Sequence, residues 1–309
     1  MDIKDLIIIG GGPAGLSAGV YAGRARCDTL LFTGKAGVGE LILAVDVDDF
    51  PGFPNGISGM ELLKLMEEQA LKFECQIMPQ EIIQIDFTKK PFKVVAEDKK
   101  EYYSRSIIIA TGASNRWLGL EKEKDFIGHG ISACAVCDGA FFKGKEVAVV
   151  GGGDVALEDA VYLTKYAEKV YIIHRREELR AAKRLQEEVF KNKKIEFIFN
   201  NEIVKLLGDK QLEGIIIKNN QTQEEKELKI SSLFLAIGFS PATELFKNQL
   251  SINEKGYLEV KDNVKTSKEG VFAAGDVCDE NYKQAVVAAG LGAMAAMEAD
   301  KWLKAKKEL

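Results

Sequence analysis

Twice in this chain an apolar run breaks into three consecutive glycines and then into a string of small residues: LIIIGGGPAGLSAGVYAGRA from Leu6, and EVAVVGGGDVALEDAVYLTKYA from Glu146. Each reads as a buried strand, a tight glycine turn and a helix. Each is followed by another apolar run, TLLF (29–32) and VYII (170–173). That is the opening of a βαβ unit, and the two openings lie about 140 residues apart. Two such openings at that distance mean two dinucleotide-binding domains rather than one domain with a repeat.

In the first turn, Gly10, Gly12, Pro13, Ala14 and Gly15 fit G-x-G-x-x-G at a strand end. Glycines there allow the sharp turn and let the backbone approach a pyrophosphate, which meets the positive end of the helix. The acid expected about 20 residues on, for a ribose hydroxyl, is missing, because the next strand ends LLFTG. In the second turn, Gly151, Gly153, Asp154, Val155 and Ala156 carry the variant with alanine in the third glycine position. Its second strand runs into HRREELR, which contributes His174, Arg175, Arg176 and Arg180. Guanidiniums where an NAD site would place a carboxylate suit a 2′-phosphate, so this loop is expected to take NADPH. Nothing in the chain gives a second nicotinamide a purpose. FAD is therefore the expected occupant of the first loop, and a flavin can receive a hydride and hand electrons to a disulfide.

Two further strand ends echo each other, IIIATG (107–112) and LFLAIG (233–238). We read Gly112 and Gly238 as lying where the chain crosses between domains. The expected fold is α/β, with two Rossmann-like dinucleotide-binding domains of three-layer ββα type. The NADPH domain (114–245) is expected as an insertion in an FAD domain built from 1–113 and 246–309. A helix is expected over GMELLKLMEEQALKF (59–73), and an alanine-rich one from about Tyr282.

Between the loops lies SACAVCDG, in which Cys134 and Cys137 are followed by Asp138. A zinc site would need further ligands, and the chain holds two histidines, His129 and His174, and no second CxxC. A structural crosslink closing so small a loop gains little chain entropy. A redox pair fits best: a neighbouring acid can move the proton, and two nucleotide loops can deliver electrons. Cys27, Cys75 and Cys278 are read as incidental.

A net charge of −5 argues against nucleic acid or an anionic membrane as partner, since neither suits a chain without a clustered cationic excess. The start, MDIKD, lacks a secretory pattern, and five cysteines do not make a disulfide framework in a chain of 309 residues. The cytosol is the expected compartment.

Taken jointly, GGGPAG, DDFPGFP, ATGAS, SACAVCDG, GGGDVALEDA, HRREELRA, AIGFSPATELF and FAAGDV with YKQAVVAAG resemble the low-molecular-weight, bacterial-type thioredoxin reductases of the pyridine nucleotide-disulfide oxidoreductase family. The resemblance covers nearly the whole chain, about Leu6 to Leu303. It implies a homodimer whose NADPH domain rotates against its FAD domain, with thioredoxin or a similar small disulfide protein as partner. It implies that Cys137 is the flavin-facing sulfur, that Cys134 attacks the partner's disulfide and that Asp138 handles the proton. It adds Ala110, Thr111, Gly112, Gly275, Asp276, Gln284 and Ala285 to the FAD residues, and Ile237 and Gly238 to those for NADPH. The alternatives at this stage are another protein disulfide partner, or a flavoprotein reductase of ferredoxin or flavodoxin that bypasses the thiols.

The chain departs from that family in one stretch, VGELILAVDVDDFPG, and at one later residue. Glu40, followed by Leu41, replaces a usual Gln, Ile42 to Val45 replace threonines, Asp49 takes a position commonly Asn, and Lys283 replaces a usual Arg. Carboxylates beside a flavin disfavour its reduced, anionic form by like-charge repulsion. A lower flavin potential or weaker FAD retention is expected.

Overall fold

The computed structural model describes residues 2–34, 40–44 and 46–307. Its strands in chain order begin β1 (Ile3–Ile9), β2 (Thr29–Phe32), β3 (Gln76–Met78), β4 (Ile82–Asp86), β5 (Phe92–Ala96), β6 (Glu101–Ile109), β7 (Ala113–Asn115) and β8 (Ile131–Ser132). They continue with β9 (Glu146–Val150), β10 (Lys169–His174), β11 (Ile195–Phe199), β12 (Asn201–Gly208), β13 (Leu212–Asn219), β14 (Glu225–Lys229), β15 (Ser232–Leu235), β16 (Phe239–Pro241) and β17 (Val271–Ala273). The α-helices are α1 (Pro13–Arg24), α2 (Gly59–Lys72), α3 (Ala135–Asp138), α4 (Asp154–Leu163), α5 (Lys183–Lys191) and α6 (Ala285–Lys307). Among the described residues, no helix is long and apolar enough to cross a membrane.

Two compact units are formed, one from the residues up to Ser114 and those from Ser240 onward, the other from Asn115–Phe239. In the first, five parallel strands stand in the order β3-β2-β1-β6-β17. Strand β6 is nine residues long and serves two neighbours on one side. Its start pairs antiparallel with β5, which leads on to β4, and its end pairs with β17. The apolar run of β1 is buried on both faces, as a central parallel strand must be. Because side chains alternate across a strand, Leu6 and Ile8 join the helix-side core with Leu16, Ala18 and Ala295. Ile7 and Ile9 join the opposite core with Phe87, Phe92 and Phe246.

The second unit repeats the layout with parallel order β11-β10-β9-β15-β8. Val147 and Val149 face α4, through Ala156, Leu157 and Ala160. Ala148 faces the antiparallel ribbon β12-β13-β14, through Ile203, Leu206 and Ile215. Helix, parallel sheet and antiparallel ribbon make three layers in each unit, the ββα arrangement anticipated from sequence.

Two boundaries differ from expectation. Residues 240–245 pack with the first unit, where the Ala242 amide donates to the Gly112 carbonyl at 3.0 Å and the Thr111 hydroxyl donates to the Ala242 carbonyl at 2.8 Å. Helix α6 begins at Ala285 rather than near Tyr282. The Asp279 carboxylate takes the Asn281 amide at 2.9 Å and Lys283 adopts a φ of +50°, both of which hold the preceding residues out of the helix. Helix α2 starts at Gly59, as expected, with the Ser58 hydroxyl capping it by accepting the Glu61 amide at 3.2 Å.

The segment entering the second unit is held by one buried side chain. The Glu123 carboxylate, 4% exposed, accepts the amides of Leu118, Gly119 and Leu120 at 2.8, 2.7 and 3.3 Å. Removing it strands three donors. We expect Glu123→Ala to lose about 2–4 kcal/mol in urea unfolding, and Glu123→Gln, which keeps an acceptor oxygen, to lose less than half of that. Equal losses would show that the nest is held by packing alone.

Candidate functional site

In the first unit the carboxyl ends of β1, β6 and β17 lie side by side, and the glycine turn leaves from the end of β1. Gly10 has a φ of +122°, and a Cβ there would stand 2.0 Å from the Ala110 carbonyl oxygen. A Cβ on Gly15 would stand 1.8 Å from the Gly10 carbonyl oxygen, and one on Gly275 (φ +79°) would stand 2.9 Å from the Ala14 Cβ. Gly12, the residue before α1, is different: a Cβ there would meet nothing within 4 Å. Pro13 opens the helix, where its missing amide hydrogen costs nothing. Crowding behind the loop and open space in front of it form a cradle that fits a pyrophosphate. Gly112 also faces open space.

Around this cradle the structure gathers an acidic set. Asp276 lies three residues past the end of β17 and is half-buried. Burial pushes its carboxyl up to about 6; Lys283 opposes the shift, while Asp279 and Glu40 add to it. Glu40 and Leu41 lie in a short 3-10 turn (Glu40–Leu43), with Leu41 and Ile42 packed on the helix-side core. Val38, Gly39 and Val45 of the departing stretch lie outside the described residues. Lys283 donates to the Asp279 carbonyl at 3.0 Å and sits 4.5 Å from the Tyr257 ring centre. The carbonyl of Gln284 accepts the Ala288 amide at the start of α6. Asp49 is exposed, in the bend after the bridge between Val47 and Ile57.

In the second unit the Gly151 turn (φ +156°) repeats the crowding, with a Cβ placed 2.5 Å from the Ala236 carbonyl oxygen. Gly153 again faces open space. Ile237 and Gly238 follow β15 at the same sheet edge. His174, 6% exposed, lies flat against Gly152, where a Cβ would stand 2.3 Å from the ring. Burial holds its pKa down; Arg180, Arg176 and Arg175 push the same way against the hydrogen bond to Glu178. The ring is therefore neutral at pH 7, and its Nε2–H donates to the Glu178 carbonyl at 3.1 Å. Arg175, Arg176 and Arg180 are exposed in the bend that follows. Val155 is exposed and Ala156 buried in the first turn of α4.

Strand β8 extends this same parallel sheet and delivers the cysteines to its carboxyl edge. Cys134 and Cys137 are joined as a disulfide, with Cα atoms 5.4 Å apart. The Ser132 hydroxyl accepts the Cys134 amide at 3.0 Å, and the Cys134 Sγ accepts the Cys137 amide at 3.1 Å. An amide hydrogen already aimed at Sγ favours the thiolate once the bond is reduced. Asp138 ends the α3 turn and is half-buried. Burial pushes the thiols of Cys75 and Cys278 up to about 12, so neither competes as a nucleophile near neutral pH. On α4, which packs against α3, burial and then Glu158 push Asp159 up to about 7. Sequence reasoning passed over Ser132, Glu123 and Asp159: Glu123 belongs to no motif, and Ser132 and Asp159, though inside SACAVCDG and GGGDVALEDA, matter only through what surrounds them.

The chain matches the profile described as pyridine nucleotide-disulphide oxidoreductase over residues 4–292. It is 46% identical to a thioredoxin reductase of Chlamydia pneumoniae, with 96% of this chain and 98% of that one covered. It is 45% identical to a thioredoxin reductase of Rickettsia conorii, covering 96% and 97%. Among solved structures, the thioredoxin reductase from Giardia duodenalis superposes with a TM-score of 0.94 at 41% identity, covering 98% of this chain and all of that one. The chain belongs to the pyridine nucleotide-disulphide oxidoreductase family.

The raised Asp276 carboxyl has a consequence for the protein without cofactor. Its folded pKa lies above the unfolded value of about 3.9, so the folded state holds its proton longer. Stability from this group is present below about pH 4 and is lost as pH rises through about 6. Asp276→Asn apoprotein should therefore gain about 1–3 kcal/mol at pH 7.5 and almost nothing at pH 4, read by thermal melting. A gain of equal size at both pH values would refute the cause.

Proposed function

We infer that this protein reduces the disulfide of thioredoxin with electrons from NADPH. Its cofactors are FAD and NADPH, and FAD supplies the two-electron chemistry that links a hydride donor to a disulfide. The observation that carries this reading is the disulfide Cys134–Cys137 at the carboxyl edge of a sheet that also presents an open glycine turn and three exposed guanidiniums.

The residues divide the work as follows. Gly10, Gly12, Pro13, Ala14 and Gly15 hold the FAD pyrophosphate against the start of α1, with Ala110, Thr111, Gly112 and Gly275 closing the cradle. Asp276, Glu40, Leu41, Asp49, Lys283, Gln284 and Ala285 surround the rest of FAD. Gly151, Gly153, Val155 and Ala156 hold NADPH, Ile237 and Gly238 bound it, and Arg175, Arg176 and Arg180 clasp the 2′-phosphate. His174 and Asp154 stand behind that clasp. The FAD domain is then the discontinuous unit, and the NADPH domain is the inserted one.

In the thiol steps, Cys134 as thiolate attacks the partner's disulfide, forming a mixed disulfide and releasing one partner thiolate, which takes a proton. Cys137 then attacks Cys134 Sγ, restoring the internal disulfide and releasing the second partner sulfur. Asp138 holds and returns the proton of that exchange. Cys137 is the sulfur that would take electrons from FAD. A cytosolic homodimer completes the reading. The discontinuous unit exposes Met60, Tyr21 and Met297 for a second copy.

NADPH oxidation is measured with thioredoxin, with a generic aromatic disulfide and with oxygen alone. Thioredoxin should raise the rate by at least about tenfold over oxygen, an effect on the order of 1.4 kcal/mol in barrier. Cys134→Ser should still bleach its flavin with NADPH and lose turnover. Full turnover in that variant, or rates indifferent to thioredoxin, would sink the assignment. Glu40 adds negative charge beside Asp276, so Glu40→Gln is expected to raise the FAD midpoint potential in a dye-coupled titration. An unmoved potential and unmoved FAD affinity would remove that role.

A further inference from the structure

The bend that bears the arginines, residues 175–182, has no regular structure of its own. It is kept in place by its neighbours. The Arg175 carbonyl accepts from the Asn220 side chain at 3.0 Å, and the Arg176 carbonyl accepts the Asn200 amide at 3.3 Å. At its far end, the amides of Arg180 and Ala181 both donate to the Gly152 carbonyl, at 2.7 and 3.2 Å. The next amide, that of Ala182, donates to the Asp154 Oδ1 at 2.7 Å.

Asp154 is the first residue of α4, directly after the turn whose Gly153 faces open space. A carboxylate there would oppose the phosphates of any nucleotide drawn to the helix start, by charge alone. Instead its oxygen is committed to the Ala182 amide. One side chain thus fastens the arginine bend to the glycine turn, beside the two bonds made by Gly152.

We propose that Asp154 is a positioning residue that sets the preference for a 2′-phosphorylated nucleotide by fixing the arginine bend against the glycine turn. This rests on the reading of Arg175, Arg176 and Arg180 as the 2′-phosphate clasp. With the bend held, the guanidiniums lose little freedom on binding; released, they must be ordered by the ligand, and affinity falls by that cost. The rest of the nucleotide is bound elsewhere and does not feel the release. Charge alone predicts the opposite sign, since removing an anion near phosphates should tighten them.

The test is calorimetric binding of adenosine 2′,5′-bisphosphate and of 5′-AMP to the FAD-loaded full-length protein. Asp154→Ala should weaken the bisphosphate roughly fivefold, about the net scale of one ordinary hydrogen bond, and change 5′-AMP by less than about twofold. Asp154→Asn, which loses the charge but keeps an acceptor oxygen, should stay within about twofold of the parent for both ligands. Ala182→Pro removes the donor instead. The φ of −56° at Ala182 suits proline, so this variant should copy Asp154→Ala and carries the comparison if that protein does not fold. The ratio of kcat/KM for NADPH over NADH should fall with Asp154→Ala and recover with Asp154→Asn.

Arg176→Ala separates the two layers of the claim. If it weakens the bisphosphate while Asp154→Ala and Ala182→Pro bind at parental strength or tighter, the positioning role is overturned and the clasp stands. If Arg176→Ala leaves the bisphosphate unchanged, the clasp itself falls, and the positioning role with it. Equal weakening of both ligands by Asp154→Ala also overturns the proposal.

Discussion

Each unit depends on the absence of a side chain at the point where a helix leaves the first strand. At Gly10 and Gly15 a Cβ would enter the van der Waals shell of a backbone oxygen at 2.0 and 1.8 Å, and at Gly151 it would do so at 2.5 Å. Contacts that short cannot be relieved by rotating a side chain, because the obstruction is main chain. Helix and strand ends are thereby drawn together, and the first helical amides are left pointing into the space beyond Gly12 and Gly153. A site for anions follows from the fold itself, at the carboxyl edge of parallel strands.

The two units start from one layout and part company in charge. The discontinuous unit sets Asp276, Asp279 and Glu40 against Lys283. The inserted unit sets Arg175, Arg176 and Arg180 around a neutral His174. An acidic surround would repel an extra phosphate, whereas a cationic one invites it. Under the proposed assignment, that contrast separates two dinucleotides that share an adenosine diphosphate half. The cysteines reach the inserted unit's sheet edge by way of β8, a strand of two residues, so the redox pair stands on the same rigid edge as the glycine turn.

Much of this was legible from local pattern. The glycine turns, the CxxC pair, the arginine trio and helix α2 each declare themselves within a dozen residues, since their chemistry or periodicity is a local property. Strand β8 was not legible, being too short for a period. Ribbon strand β14, EKELK, is rich in charge, and neither it nor β12 is anticipated from the sequence. The end of the inserted unit at Phe239 was also hidden, because it turns on the bonds of Thr111 and Gly112 to Ala242, more than a hundred residues away.

By itself, then, the amino-acid order determined that the chain holds two nucleotide folds, that three arginines follow the second strand of one of them, and that a cysteine pair lies between the two glycine turns. Those features rest on sterics and charge within one turn or one strand. Only the tertiary structure decided that Asp154 faces the Ala182 amide, that Glu123 is buried under three backbone donors, and that Asp276 keeps its proton to about pH 6. Each of those depends on which distant groups exclude water from a carboxylate or offer it a hydrogen. Burial and partner are properties of the folded chain, and no spacing along the sequence carries them.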